Sequence, residues 1–165
     1  MQMSDDTVGK ILRRFPYGFY SLTSRRDDEV NAMVLTWIIQ ASFEPRLLAI
    51  ALQRTSHTYT LVKEGRAFAV NLFQHGDFEI IRPLTKGREK DPDKMSEVEY
   101  SPAPETGCPV LQGASAYVEC KVLEIFETGG DHDIVLAKVV GGASFQPGEA
   151  EDTLTLREVG WNYGG

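Results

Sequence analysis

Two closely spaced apolar runs, Val30 to Ile39 and Leu47 to Leu52, carry almost no polar alternation. A strand with one face in water alternates, whereas a strand covered on both faces does not. The pair therefore predicts central strands of a sheet whose two sides are both occupied. The first run reads as the second arm of a hairpin turned at Arg25-Arg-Asp-Asp-Glu. Directly after the second run comes Arg54-Thr-Ser-His-Thr-Tyr-Thr-Leu-Val, a hydroxyl-rich helix start. The first turn of a helix offers unpaired N–H donors and a partial positive charge, so this segment is suited to hold phosphate.

The remaining segments fill in around that pair. Val8, Ile11, Leu12 and Phe15 recur at helical spacing behind the capping candidates Ser4 and Asp5, and Pro16 ends the pattern. Tyr20, Leu22 and Thr23 lie in the first hairpin arm. Tyr59, Leu61 and Val62 precede Lys63-Glu-Gly and predict a short helix stopped at Gly65. Ala67 to Phe73 reads as a strand. Gly76 to Glu105 is charged, and five of the eight prolines lie between Pro83 and Pro109. That composition predicts a long excursion with one helical turn near Phe78 to Ile81, of the kind that often forms a functional lid. Ala116 to Glu127 and Asp133 to Val140 are the arms of a hairpin about Thr128-Gly-Gly-Asp, and Thr153 to Arg157 is a last strand before Trp161-Asn-Tyr-Gly-Gly. Many strands, a few short helices and no regular strand-helix alternation make the chain mainly β, with a Greek-key β-barrel favoured over a parallel doubly wound sheet.

Composition narrows the function. A chain of 165 residues that is 42% hydrophobic fits one domain over residues 1–165. A net charge of −7 supplies no basic stripe for nucleic acid. The start, Met1-Gln-Met-Ser-Asp-Asp, lacks the pattern of a signal peptide, and no run approaches the roughly 20 apolar residues of a membrane span. A cytoplasmic protein with no membrane partner is expected. Cys108 and Cys120 are too far apart for a CxxC pair and the three histidines are scattered, so no metal site is expected. Cys120, inside an apolar run, reads as a small buried hydrophobe. No GxGxxG, GxxxxGK, GxSxG or HExxH occurs, nor any internal repeat.

The ordered segments Pro16-Tyr-Gly-Phe-Tyr, Asn31-Ala-Met…Thr36-Trp, Ala41-Ser-Phe-Glu-Pro, Ser56-His-Thr-Tyr…Leu61-Val, Phe68-Ala-Val-Asn71 and Gly130-Asp-His132 resemble the flavin reductase-like family. The likeness runs from about Ile11 to the C-terminal segment. It implies an FMN-binding split β-barrel, a homodimer with the flavin at or near the subunit interface, and either hydride transfer from NADH or NADPH to flavin or the holding of FMN for electron transfer. An oxygenase or another electron-transfer protein is the implied receiving partner.

Carried over by position, the resemblance implies that Asn31, Ala32, Met33, Val34, Thr36 and Trp37 line the isoalloxazine, largely through main-chain groups and the Thr36 hydroxyl. Ser42 and Phe43 would continue that wall. Ser56 and Thr58, with the helix N-terminus and Arg54, would hold the FMN phosphate, and Asn71 would add a polar contact. His132 would face the reactive side of the ring near the nicotinamide, as the catalytic candidate. The chain departs from the common Asn-Gly-Met-Thr at Ala32 and Val34, and Arg46 replaces a frequent second proline. Ala32 lacks the backbone freedom of glycine and Val34 removes a hydroxyl that could reach the flavin, and the two departures together move weight from side chains to backbone contacts.

Each of these residues also has a purely structural reading. Ser56 is a good N-cap in any protein, Trp37 suits a core, Asn71 suits a strand end, and Arg54 suits an exposed surface. His132 suits a solvated hairpin, His57 an exposed first turn and His75 a loop. Three functional classes follow: an NAD(P)H-dependent flavin oxidoreductase, an FMN-bound electron carrier without nicotinamide chemistry, and a non-catalytic flavin-binding module.

Overall fold

The computed structural model describes residues 5–162. Its core is a seven-stranded antiparallel sheet built from β1 (Tyr20–Arg26), β2 (Glu29–Leu35), β3 (Ile38–Ser42), β4 (Leu47–Gln53), β5 (Ala67–Leu72), β8 (Ala116–Phe126) and β9 (His132–Ser144). Strands β6 (Tyr100–Pro102) and β7 (Pro109–Leu111) form a separate two-stranded ribbon. The sheet order is β2-β1-β5-β8-β9-β4-β3. Hairpins β1-β2, β3-β4 and β8-β9 alternate with long connections that seat β5 beside β1 and β4 beside β9, the crossovers of a Greek-key split barrel.

The long apolar run is where the observed topology departs from the expected one. Val30 to Ile39 is not one arm: it breaks at Thr36 and Trp37, and its halves, β2 and β3, lie at opposite ends of the sheet. The central position expected for the run is therefore corrected, while β4 lies one strand in from the end. The chain crosses the barrel at the break, where Ala51 donates its N–H to the Trp37 carbonyl at 3.1 Å. Leu35 of β2 meets Ile50 and Leu52 of β4 in one buried cluster with Phe68, Val70, Cys120 and Val135. The two ends of the sheet thus close over a shared apolar core, without pairing as strands.

Helix α2 (His57–Gly65) plugs that core with Tyr59 and Val62. Ser56 is its N-cap, accepting the Tyr59 N–H at 3.1 Å. The helix does not stop by way of glycine: Arg66 takes the left-handed turn at φ 56°, and Gly65 is needed because a Cβ there would lie 2.0 Å from the Arg25 carbonyl oxygen. Both free cysteines are buried, and burial pushes the Cys120 thiol up to about 12, as suits an inert core residue.

A second apolar cluster lies on the other side of β2. Ala32 joins Phe19, Phe73, Ile81, Leu84 and Leu154 there, with Val34 packed alongside. The excursion after β5 supplies part of this cover through α3 (Phe78–Ile81) and two 3-10 turns, Arg82–Thr85 and Lys94–Glu97. The supposed lid is thus substantially a packed cover over an otherwise open terminal strand. The N-terminal helix α1 spans Asp5–Leu12, and the capping candidate Ser4 lies outside the described residues. The last expected strand is replaced by isolated bridges at Thr153 and Thr155, followed by α4 (Leu156–Val159), whose N-cap Thr155 accepts the Glu158 N–H.

Candidate functional site

The break between β2 and β3 opens a cleft of about 530 Å³, within the range of small-molecule sites. Met33, Val34, Thr36, Trp37 and His132 line it, so five of the residues named from sequence converge on one space. His132 opens β9 and pairs with Gln53, the last residue of β4. Its ring lies 4.8 Å from that of Trp37, centroid to centroid, and its Nδ1 bonds to Asp131 at 2.7 Å. That bond to His132 holds the Asp131 carboxyl below its ordinary range.

The helix start lies one tight turn from the cleft, because Ser56 donates its N–H to the Gln53 carbonyl at 3.0 Å. Across from it stands Asn31 on β2. Asn31 is 2% exposed and Thr58 1%. Asn31 Nδ2 donates to Thr58 Oγ1 at 2.9 Å, and Asn31 Oδ1 is buried with no partner. Turning the amide over exchanges the two ends but still leaves one polar atom unpaired. Buried amides are rarely left that way.

Charge around the helix start is balanced. The first turn of α2 contains no acidic residue. Glu29 bonds His57 at 2.7 Å and is flanked by Arg26 and by Arg88, whose Nη1 is 3.4 Å away. The His57 bond, followed by Arg26, holds the Glu29 carboxyl below its ordinary range. Arg54 reaches the Gly130 carbonyl and sits 3.9 Å from Asp133. Asp133 is buried and accepts the Tyr59 hydroxyl at 2.7 Å, which raises the Tyr59 phenol.

This donor set is of the kind a phosphate group requires. Helix α2 is nine residues long and free of first-turn carboxylates, the Thr58 hydroxyl is at its start, and the unpaired end of Asn31 is a buried polar group beside it. With the amide turned so that Nδ2 is the free end, Thr58 donates to Asn31 Oδ1 and Nδ2 becomes a donor for an anion.

Other named residues lie elsewhere. Asn71 is fully buried and both ends of its amide are committed, Nδ2 to the Pro109 carbonyl at 3.3 Å and Oδ1 to the Leu111 N–H at 2.9 Å. It ties β7 to β5, which corrects the reading of Asn71 as a ligand contact. Ala32 is fully buried in the second cluster and is not among the residues that line the cleft. Ser42 ends β3 and Phe43 follows it in the turn, both away from the cleft lining, and Phe43 is 87% exposed. Ser56 uses its oxygen as the helix cap. Sequence reasoning missed Arg13, Ala51, Gln53 and Asn162, which also line the cleft. Gln53 directly follows the apolar run that ends at Leu52, a signal that could have found it, but nothing local marks Arg13 or Asn162.

A split barrel with a cleft at its strand break and a polar helix start beside it defines a class of small ligand-binding β-domains. Residues 12–158 match the flavin reductase like domain, and the chain belongs to that family. A Nostoc sp. (strain PCC 7120) protein of the diflavin flavoprotein A series is 32% identical over 157 residues, covering 94% of this chain and 27% of that protein. The chain spans about a quarter of the length of the curated relatives it matches. Among solved structures, the NADH:FAD oxidoreductase SgcE6 of Streptomyces globisporus superposes with a TM-score of 0.76 at 23% identity, covering 87% of this chain and 85% of that one. The flavin reductase HpaC, solved with NADP+, gives a TM-score of 0.75 at 22% identity, covering 93% and 99%. These structural likenesses show the fold. Among the described residues no helix is long and apolar enough to cross a membrane, and no cluster of side chains is placed to hold a metal.

Proposed function

We propose that the chain holds FMN and accepts hydride from a reduced nicotinamide dinucleotide, as an oxidoreductase of flavin reductase type. The observation that carries the reading is the unpaired end of Asn31, buried beside the start of α2 on the same strand that walls the cleft. Bound FMN would supply the hydride-accepting centre at its ring N5. The chain's own part is positioning and water exclusion. Thr58, Asn31 and the first-turn N–H groups of α2 bind the phosphate, with Arg54 adding positive charge. Backbone groups of the terminal strand β2 and the Thr36 hydroxyl hold the ring edge. Trp37 and His132 form the wall against which the nicotinamide is oriented. His132 needs to transfer no proton.

A homodimer belongs to the same reading. In the single chain β3 is a terminal strand with Ile39 65% exposed and Phe43, in the turn just after it, 87% exposed, an apolar edge that a second copy would cover.

The relatives favour a second reading, an FMN-bound electron carrier, because they are named diflavin flavoproteins and this chain matches only about a quarter of their length. Anaerobic stopped-flow mixing of FMN-loaded protein with NADH and NADPH separates the two. Rapid bleaching near 450 nm supports the reductase. Bleaching only by a reduced protein donor supports the carrier, and failure to bind added FMN removes both.

A further inference from the structure

A second groove, of about 670 Å³, adjoins the cleft and is lined by Arg13, Arg14, Phe15, Arg157 and Trp161 among others. Arg13 and Asn162 line both spaces, so the groove and the cleft share a wall. Arg14 and Arg157 line only the outer groove. Among the described residues none of the three arginines takes part in an ion pair. In a chain of net charge −7, three uncompensated guanidiniums around one groove make a local positive field.

The groove also presents aromatic surface. Trp161 is braced edge-on by Phe19 at 5.5 Å between ring centroids and by Phe78 at 6.5 Å, yet it stays 38% exposed. A held, partly exposed indole with arginines around it suits a heteroaromatic base carrying phosphates. Arg13 and Arg14 follow the end of α1 and would complement its dipole in any protein. That role does not explain why Arg157, from α4, converges on the same space.

We propose that this groove takes the adenosine half of the dinucleotide, with Arg13 at the pyrophosphate beside the cleft and Arg14 and Arg157 on a 2′-phosphate. The chain then selects NADPH over NADH. The proposal rests on the cleft being the hydride-transfer site.

Calorimetric titration with adenosine 2′,5′-bisphosphate and with 5′-AMP tests the groove without flavin. Wild-type protein is expected to bind the bisphosphate about tenfold or more tightly than 5′-AMP, the size of one charge-assisted hydrogen bond. Arg14→Gln with Arg157→Gln should erase the difference. Equal affinity for the two probes, no binding of either, or a preference that survives the double substitution overturns the assignment. An FMN titration on the same samples keeps the two readings apart. Loss of FMN binding with the probe preference intact sinks the flavin reading. Bleaching by both dinucleotides without a probe preference sinks the groove alone.

Discussion

The pairing of Asn31 with Thr58 makes an unusual demand on stability. In the ligand-free chain the pair gains one neutral hydrogen bond, worth about 1 kcal/mol net, and leaves one buried amide atom unpaired, which costs about 1–3 kcal/mol. The two contributions cancel or sum to a small destabilisation. Replacing Asn31 alone by Leu restores apolar contact but strands the Thr58 hydroxyl, so it should cost about 1–2 kcal/mol. Adding Thr58→Val removes both polar partners with little change of shape. The double variant should match the wild type or exceed it by up to about 2 kcal/mol.

Urea unfolding of flavin-free protein measures this, since 1 kcal/mol moves the midpoint by about 0.5 M at a slope near 2 kcal/mol/M. The same double variant should bind FMN about tenfold or more weakly while losing much less affinity for riboflavin, because under the proposed reading the lost donors serve the phosphate. A double variant more than about 2 kcal/mol less stable than wild type would show that the pair is structural. Equal losses for FMN and riboflavin would refute the phosphate assignment.

Further outcomes follow from other contacts. Tyr59→Phe removes the hydroxyl that bonds the buried Asp133 carboxylate and should lower stability by about 1.5–3 kcal/mol, read from urea midpoints. His75 is raised by its bond to Glu158, so its contribution is full below 6.5 and fades as pH rises through the raised value. Glu158 is lowered by the same bond, so its contribution is present above 4.5 and fades as pH falls through the lowered value. Stability from the pair should therefore be greatest between 4.5 and 6.5, and Glu158→Gln should flatten that profile in pH-resolved thermal melts. Ile39→Glu with Phe43→Glu should convert a dimer to a monomer in sedimentation equilibrium; a monomeric wild type would refute the interface. His132→Ala should slow flavin reduction by NAD(P)H with little change in FMN affinity, and unchanged anaerobic reduction kinetics would reduce it to a hairpin residue.

Local signals located most elements because those elements are governed by local rules. Strands β4, β5, β8 and β9 overlap the apolar runs that announced them, and α2 begins behind the capping serine. The division of Val30 to Ile39 was not legible, since both halves are apolar and only long-range closure decides that Leu35 and Ile38 face one core from opposite ends of the sheet. Asn71 was misread for a related reason. Its amide is taken by Pro109 and Leu111, about forty residues away, and nothing near Asn71 records their approach. Thr153 to Arg157 has strand composition, but Thr155 caps a helix there and the backbone follows the cap.

The apolar run acquires a sharper meaning from its break. Thr36 and Trp37 carry the chain from one end of the sheet to the other, so the same two residues open the cleft and set the course of β3. Trp37 faces His132 on one side of that crossing, while Ile39 and Phe43 stand exposed just beyond it. A run that would suit a doubly covered strand is thus covered by the core at β2 and left open at β3. Under the dimer reading, the second copy supplies the missing cover and steadies the crossing that shapes the cleft. Site and interface then depend on one stretch of sequence, and its near-continuous apolarity serves both the interior of one barrel and the contact with another.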